Sequence, residues 1–163
     1  MKNRLPLFIS ICLIAFLLSG CGAIASRKPA EPRYVPFTES GPPRYSGESY
    51  KIKGKRYIIM ASAAGYEEHG EASWYGPGFH RKKTANGERY NMHSLTAAHT
   101  SLPMDTVVEV TNKKNGRKVK VRINDRGPFV KGRIIDLSKK AAQVIELNGK
   151  AEVKVKALGT AKP

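Results

Sequence analysis

Residues Thr106 to Ile123 read as a β-hairpin, and this constrains the rest of the chain more than any other stretch. Thr106-Val107-Val108-Glu109-Val110-Thr111 has the β-branched composition of a strand. Asn112-Lys113-Lys114-Asn115-Gly116 follows as the loop, with Asn115-Gly116 supplying positive φ. In the returning strand Val119, Val121 and Ile123 alternate with Lys118, Lys120 and Arg122. That period of two marks a half-buried strand, apolar on one face and basic on the other. A hairpin of this kind needs more strands to cover its apolar face and its edges.

The sequence offers them. Glu71-Ala72-Ser73-Trp74-Tyr75-Gly76 reads as a first strand ended by Gly76-Pro77-Gly78, and a turn-rich loop runs from Phe79 to Asn91. Leu95 to His99 is a second short element, and Arg133 to Leu137 is a further strand. Ser138 is placed as an N-cap, and Leu137, Ala141, Val144 and Ile145 form a helical stripe that Asn148-Gly149 stops. Ala151 to Leu158 alternates again and closes the set. Five or six short strands with one short helix predict a mainly β fold, a small closed barrel without free edges.

Asp125 keeps the parity of the valines, so it falls on the apolar side where the strand ends and Gly127-Pro128 turns the chain away. A carboxylate at the mouth of a sheet is partly desolvated yet reachable, as a general acid must be. The plainer use of such an aspartate is to bond the amides of its own turn.

The net charge of +16 invites a nucleic-acid reading, which the N-terminus opposes. Lys2 and Arg4 precede an apolar run, Phe8 to Leu18, too short to span a bilayer comfortably and shaped like a secretory signal. Leu18-Ser19-Gly20-Cys21 resembles the bacterial lipobox, which implies a signal peptide over 1–20 and lipid on Cys21. Gly22 after that cysteine is similar to the pattern of outer-membrane lipoproteins facing the periplasm. Cys12 would be lost with the signal, so no cysteine remains for a disulfide. Anionic lipid and the acidic groups of the cell wall are the partners left for the basic charge; no nucleic acid is expected.

Residues 21–48, rich in Pro, Ser, Gly and Arg, read as a flexible lipid-anchored linker, reaching on the order of 80 Å when extended. Residues 49–69, with a Lys53-Gly54-Lys55 turn, suggest a short hairpin or lead-in, and the barrel is assigned to 70–160.

Six blocks then occur in order: Gly70-Glu71-Ala72-Ser73-Trp74-Tyr75-Gly76, Thr84-Ala85-Asn86-Gly87-Glu88, Leu95-Thr96-Ala97-Ala98-His99, Val110-Thr111-Asn112, Asn124-Asp125-Arg126-Gly127-Pro128-Phe129 and Arg133-Ile134-Ile135-Asp136-Leu137-Ser138. Together they resemble the rare lipoprotein A (RlpA) family. The resemblance implies a six-stranded double-psi β-barrel with one or two short helices, related in fold to expansins. It also implies a lytic transglycosylase that cuts between N-acetylmuramic acid and N-acetylglucosamine, leaves a 1,6-anhydro end and prefers strands stripped of stem peptides. Asp125, His99 and Glu88 are the implied catalytic residues, with Asp125 as acid/base and the other two hydrogen-bonding it or the sugar. Tyr75, Asn124, Arg126 and Arg133 are candidates for contact with substrate, the arginines toward the lactyl carboxylate. No cofactor is implied, and His69, His80, His93 and His99 lack metal-ligand spacing. Protein partners are not indicated.

Plainer roles stand beside these. His99 shares parity with Leu95 and Ala97 and fits a core position, Glu88 follows an Asn-Gly turn and fits a solvent-facing one, and Asp136 reads as structural, before a helix start. Trp74 reads as core. Many members of the family carry a C-terminal repeat domain that binds denuded glycan; this sequence ends at Pro163, which leaves septal recruitment open. The competing readings are a lipid-anchored barrel that grips glycan without cutting it, as expansins do, and a scaffold lipoprotein. A hydrolase would differ from the transglycosylase in leaving reducing ends.

Overall fold

The computed structural model describes residues 29–38 and 44–162. The signal peptide, Cys21 and the start of the linker lie outside the described residues.

Nine strands and one α-helix follow in chain order: β1 (Tyr34–Pro36), β2 (Arg44–Ile52), β3 (Lys55–Ser62), β4 (Glu67–Tyr75), β5 (Thr96–His99), β6 (Thr106–Asn112), β7 (Lys118–Asp125), β8 (Arg133–Ser138), α1 (Lys139–Val144) and β9 (Ala151–Ala161). β9, β4, β8, β5, β7 and β6 pair in that order, and β6 pairs back onto β9 to close a six-stranded barrel. β5 runs parallel to β7, and β4 parallel to β8. The other contacts around the barrel are antiparallel. The interior is small and aliphatic: Val108, Val110, Val121, Ile123, Ile135, Leu137, Val153 and Val155 are all fully buried. This is the alternation of the sequence expressed as packing, since inward residues recur every second position.

β7 keeps that alternation from Val119 to Ile123 and breaks it at Asn124, which is buried although its parity is outward. The β6–β7 turn takes its positive φ from Gly116 alone, not from Asn115. The helix begins as predicted, with Ser138 Oγ accepting from the Ala141 amide at 3.1 Å. It ends at Val144, earlier than Asn148-Gly149 suggested.

The segment before the barrel departs further from a free linker. β1 adds antiparallel to β9, with Tyr34 opposite Ala161 and Pro36 opposite Gly159. Val35 lies so close that a Cβ on Gly159 would come within 2.0 Å of its carbonyl oxygen, so only glycine permits the pairing. Pro-rich composition hid this because Pro36 costs an edge strand nothing on its solvent side. β2 and β3 form a separate hairpin. It is fastened to the barrel by Tyr50 Oη donating to Thr100 O at 2.8 Å, and by the Met60 amide donating to Ser101 O at 2.8 Å. Met60 itself is buried in the core.

Candidate active site

Asp125 is the last residue of β7 and is half-buried. Its Oδ1 accepts two backbone N–H bonds, from Ala85 at 2.9 Å and from Arg126 at 2.8 Å. The plainer use of a turn aspartate is therefore present, but it occupies one oxygen only. Oδ2 takes no hydrogen bond among the described residues. Asp125 also lines a cleft of about 550 Å³, bounded by Tyr50 and Ile59 of the hairpin, Thr84 and Ala85 of the loop, and Arg126 and Phe129. That volume lies in the range of ligand-binding clefts.

Glu88 does not touch Asp125. Its carboxylate receives both guanidinium nitrogens of Arg122 at 2.8 Å and the Asn124 side-chain amide at 3.0 Å. These bonds, led by the one from Arg122, hold the Glu88 carboxyl down at about 2. Arg122 and Asn124 both reach Glu88 from β7, where a register shift past Ile123 leaves Asn124 as the extra residue before Asp125. The second face of Arg122 is held by Asp105 at 2.7 Å. The pair is partly exposed, so it adds little stability, within about 1 kcal/mol. What it fixes is the loop 84–88, whose Ala85 amide holds Asp125.

His99 is not beside Asp125 either. The ring is buried, and Nδ1 accepts the amides of Ser101 at 3.2 Å and Leu102 at 3.0 Å. The proton therefore sits on Nε2, 2.9 Å from Tyr66 Oη, which in turn donates to the Glu68 carboxylate. Burial, with the Arg126 guanidinium adding to it, pushes His99 down to about 3 and keeps it neutral. The loop this ring holds is a junction. His99 O and Leu102 O accept Arg126 Nη1 at 3.2 and 2.6 Å, Thr100 O takes Tyr50, and Ser101 O takes Met60.

Of the four residues read from the sequence as substrate contacts, Arg126 lines the cleft and three do not. Tyr75 packs its ring against Tyr90 at 4.2 Å with Oη buried. Burial drives its phenol far upward, with Tyr90 and the charge of Asp125 adding to it. Asn124 is buried and spent on Glu88. Arg133 donates to Ser73 Oγ at 2.8 Å and lies 3.6 Å from Asp136. Trp74 packs against the core, as its position suggested.

Asp136 does not cap the helix; Ser138 does. Ser73 Oγ donates to Asp136 Oδ1 at 2.5 Å, and burial raises the carboxyl above its ordinary range against the pull of Ser73 and Arg133. Ala98 pairs with Asp125 on one side and with Asp136 on the other, so the two carboxyls stand in one row with a strand between them. The sequence signal for this was the apolar run around Asp136, which a helix-start reading obscured. Among the described residues no cluster of His, Cys, Asp and Glu could hold a metal ion.

The profile of the lytic transglycolase family matches residues 67–157, more than half of the chain. Three proteins named endolytic peptidoglycan transglycosylase RlpA are similar over most of it. That of Campylobacter jejuni is 46% identical across 92% of this chain and 58% of its own. That of Vibrio cholerae is 41% identical across 99% and 66%, and that of Rickettsia felis 44% across 96% and 73%. The chain belongs to the RlpA family. It is a double-psi β-barrel, as the family resemblance implied, and it spans between about three-fifths and three-quarters of the length of these relatives. The profile match starts at β4, so β1, β2 and β3 precede it, although the relatives' similarity runs across most of the chain.

Proposed function

We propose that this RlpA-family chain is an endolytic peptidoglycan lytic transglycosylase acting on glycan strands without stem peptides. The observation that carries the reading is Asp125: among the described residues, one oxygen is pinned by two amides, the other takes no partner, and the cleft lining holds no second carboxylate. A hydrolase of the usual kind sets two carboxyls about the bond. A transglycosylase can work with one. Protonated Asp125 gives its proton to the glycosidic oxygen as the C1–O4 bond breaks. The sugar's C6 hydroxyl closes on C1, and its proton returns to the Asp125 carboxylate. No water enters, and the product ends in the 1,6-anhydro ring.

Glu88 and His99 act in this reading as positioning residues, one through the loop that holds Asp125, the other through the loop that holds Arg126. The lipobox-like Leu18-Ser19-Gly20-Cys21 supports a lipid on Cys21 and a place on the outer membrane facing the periplasm. Peptidoglycan is then the partner within reach.

Asp125→Asn keeps an oxygen for the two amides, so stability should stay within about 1 kcal/mol of wild type. Loss of the acid should lower release of anhydro-ended fragments by roughly 10²- to 10⁴-fold. Mass spectrometry of products from intact and stem-stripped peptidoglycan reads both the rate and the chemistry. Reducing ends would replace the transglycosylase by a hydrolase; undiminished anhydro product would remove Asp125 as the acid.

A further inference from the structure

The hairpin β2–β3 borders the cleft with Tyr50, Ile52 and Ile59, and Tyr57 stands beside Tyr50 at its rim, while Ile58 is exposed. Tyr50 and Tyr57 are cross-strand partners, stacked with ring centroids 5.3 Å apart and 16° between planes. Phe129, just past Asp125, meets Tyr57 edge-on at 5.3 Å and is 40% exposed. The Arg126 guanidinium stands 5.9 Å from the Tyr50 ring, and Lys83, next to Thr84, lines the same cleft.

A two-stranded hairpin is at best marginally stable by itself, so this one is ordered by its barrel contacts. A shape held in place at that cost, with aromatic rings beside the acid and two cations in the lining, suits one kind of ligand. Sugar rings present flat C–H faces to aromatics, and a muramic residue without its peptide presents a lactyl carboxylate to cations.

We infer that the β2–β3 hairpin, which precedes the region matched by the family profile, is the glycan-gripping wall of the active site. Phe129 and the tyrosine pair stack against the sugar next to the bond at Asp125, and Lys83 takes the lactyl carboxylate. The inference rests on the proposed reading of Asp125 but is tested separately from it.

Binding is measured by calorimetry in the full chain carrying Asp125→Asn, with two probes: stem-stripped glycan strands, and a chitin tetrasaccharide, which lacks the lactyl carboxylate. Turnover is measured in the same variants with Asp125 intact. Phe129→Ala and Tyr57→Ala should each weaken both probes about tenfold. Lys83→Ala should weaken the stripped strands about fivefold and leave the tetrasaccharide unchanged. Ile58→Ala, at an exposed position, is the control and should alter neither. If the aromatic variants keep their melting temperature and bind and cut like wild type, the wall is refuted while the transglycosylase stands. If they lose binding although wild type releases no anhydro product, the wall stands and the transglycosylase falls. If neither probe binds the parent protein, the wall falls as well.

Discussion

At the scale of the residue, His99 illustrates how a group can matter to a site it never touches. Both ring nitrogens are engaged within the protein, and their partners fix the tautomer. Its folded pKa lies below the unfolded value, so the unfolded chain takes up a proton first. The stability held by neutral His99 is complete above about pH 6.5 and is lost as pH falls toward 3, an effect of up to several kcal/mol. Nitrogen-detected NMR at pH 5 should therefore show a neutral Nε2–H ring; a protonated ring would refute the bonding described. Glu88 behaves likewise at lower pH. Its carboxyl is depressed to about 2, so its stabilisation is present above its ordinary pKa near 4.5 and drains away below it. Glu88→Gln should change stability at pH 7 by no more than about 1 kcal/mol. Product release should nevertheless fall about tenfold, carried by kcat with KM little moved, because the loop that orients Asp125 loosens. An unchanged kcat would sever that link.

At the scale of the element, alternation made the barrel strands legible and Ser138 marked the helix start. Period two reports which face a residue takes, not what it meets there. His99 and Asn124 were visible as positions, but neither the amides on Nδ1 nor the carboxylate of Glu88 could be read from spacing. Asp136 is structural, as read, but by other bonds than a helix start: its partners Ser73 and Arg133 arrive from a parallel neighbour strand and from within its own strand. β1 was hidden more deeply, since three residues containing a proline resemble linker until Gly159 is placed opposite. Gly159→Ala should expel β1 while the barrel remains folded. Limited trypsin digestion should then cut after Arg33 severalfold faster, and equal rates would show that the strand survives the substitution.

At the scale of the whole molecule, the positive charge is spread around a barrel that has few acids to balance it. Lys118, Lys154 and Lys150 are paired with Glu109, Glu67 and Glu71, but these are exposed pairs that salt screens readily. Adsorption to sacculi should therefore weaken steeply between 0.1 and 1 M salt, as the screening length shrinks from about 10 to about 3 Å. The proposed cleavage, if set inside the cleft, should persist in whatever remains bound; co-sedimentation and product assays on the same samples separate the two.

The β1 clip also sets a leash. With Cys21 lipidated as proposed, only about a dozen residues separate the lipid from Tyr34, a span of at most on the order of 40 Å, half of what an unclipped linker would allow. The barrel would patrol the layer of wall nearest its own membrane and leave deeper strands untouched. A single methyl group at position 159 would pay out the rest of the line.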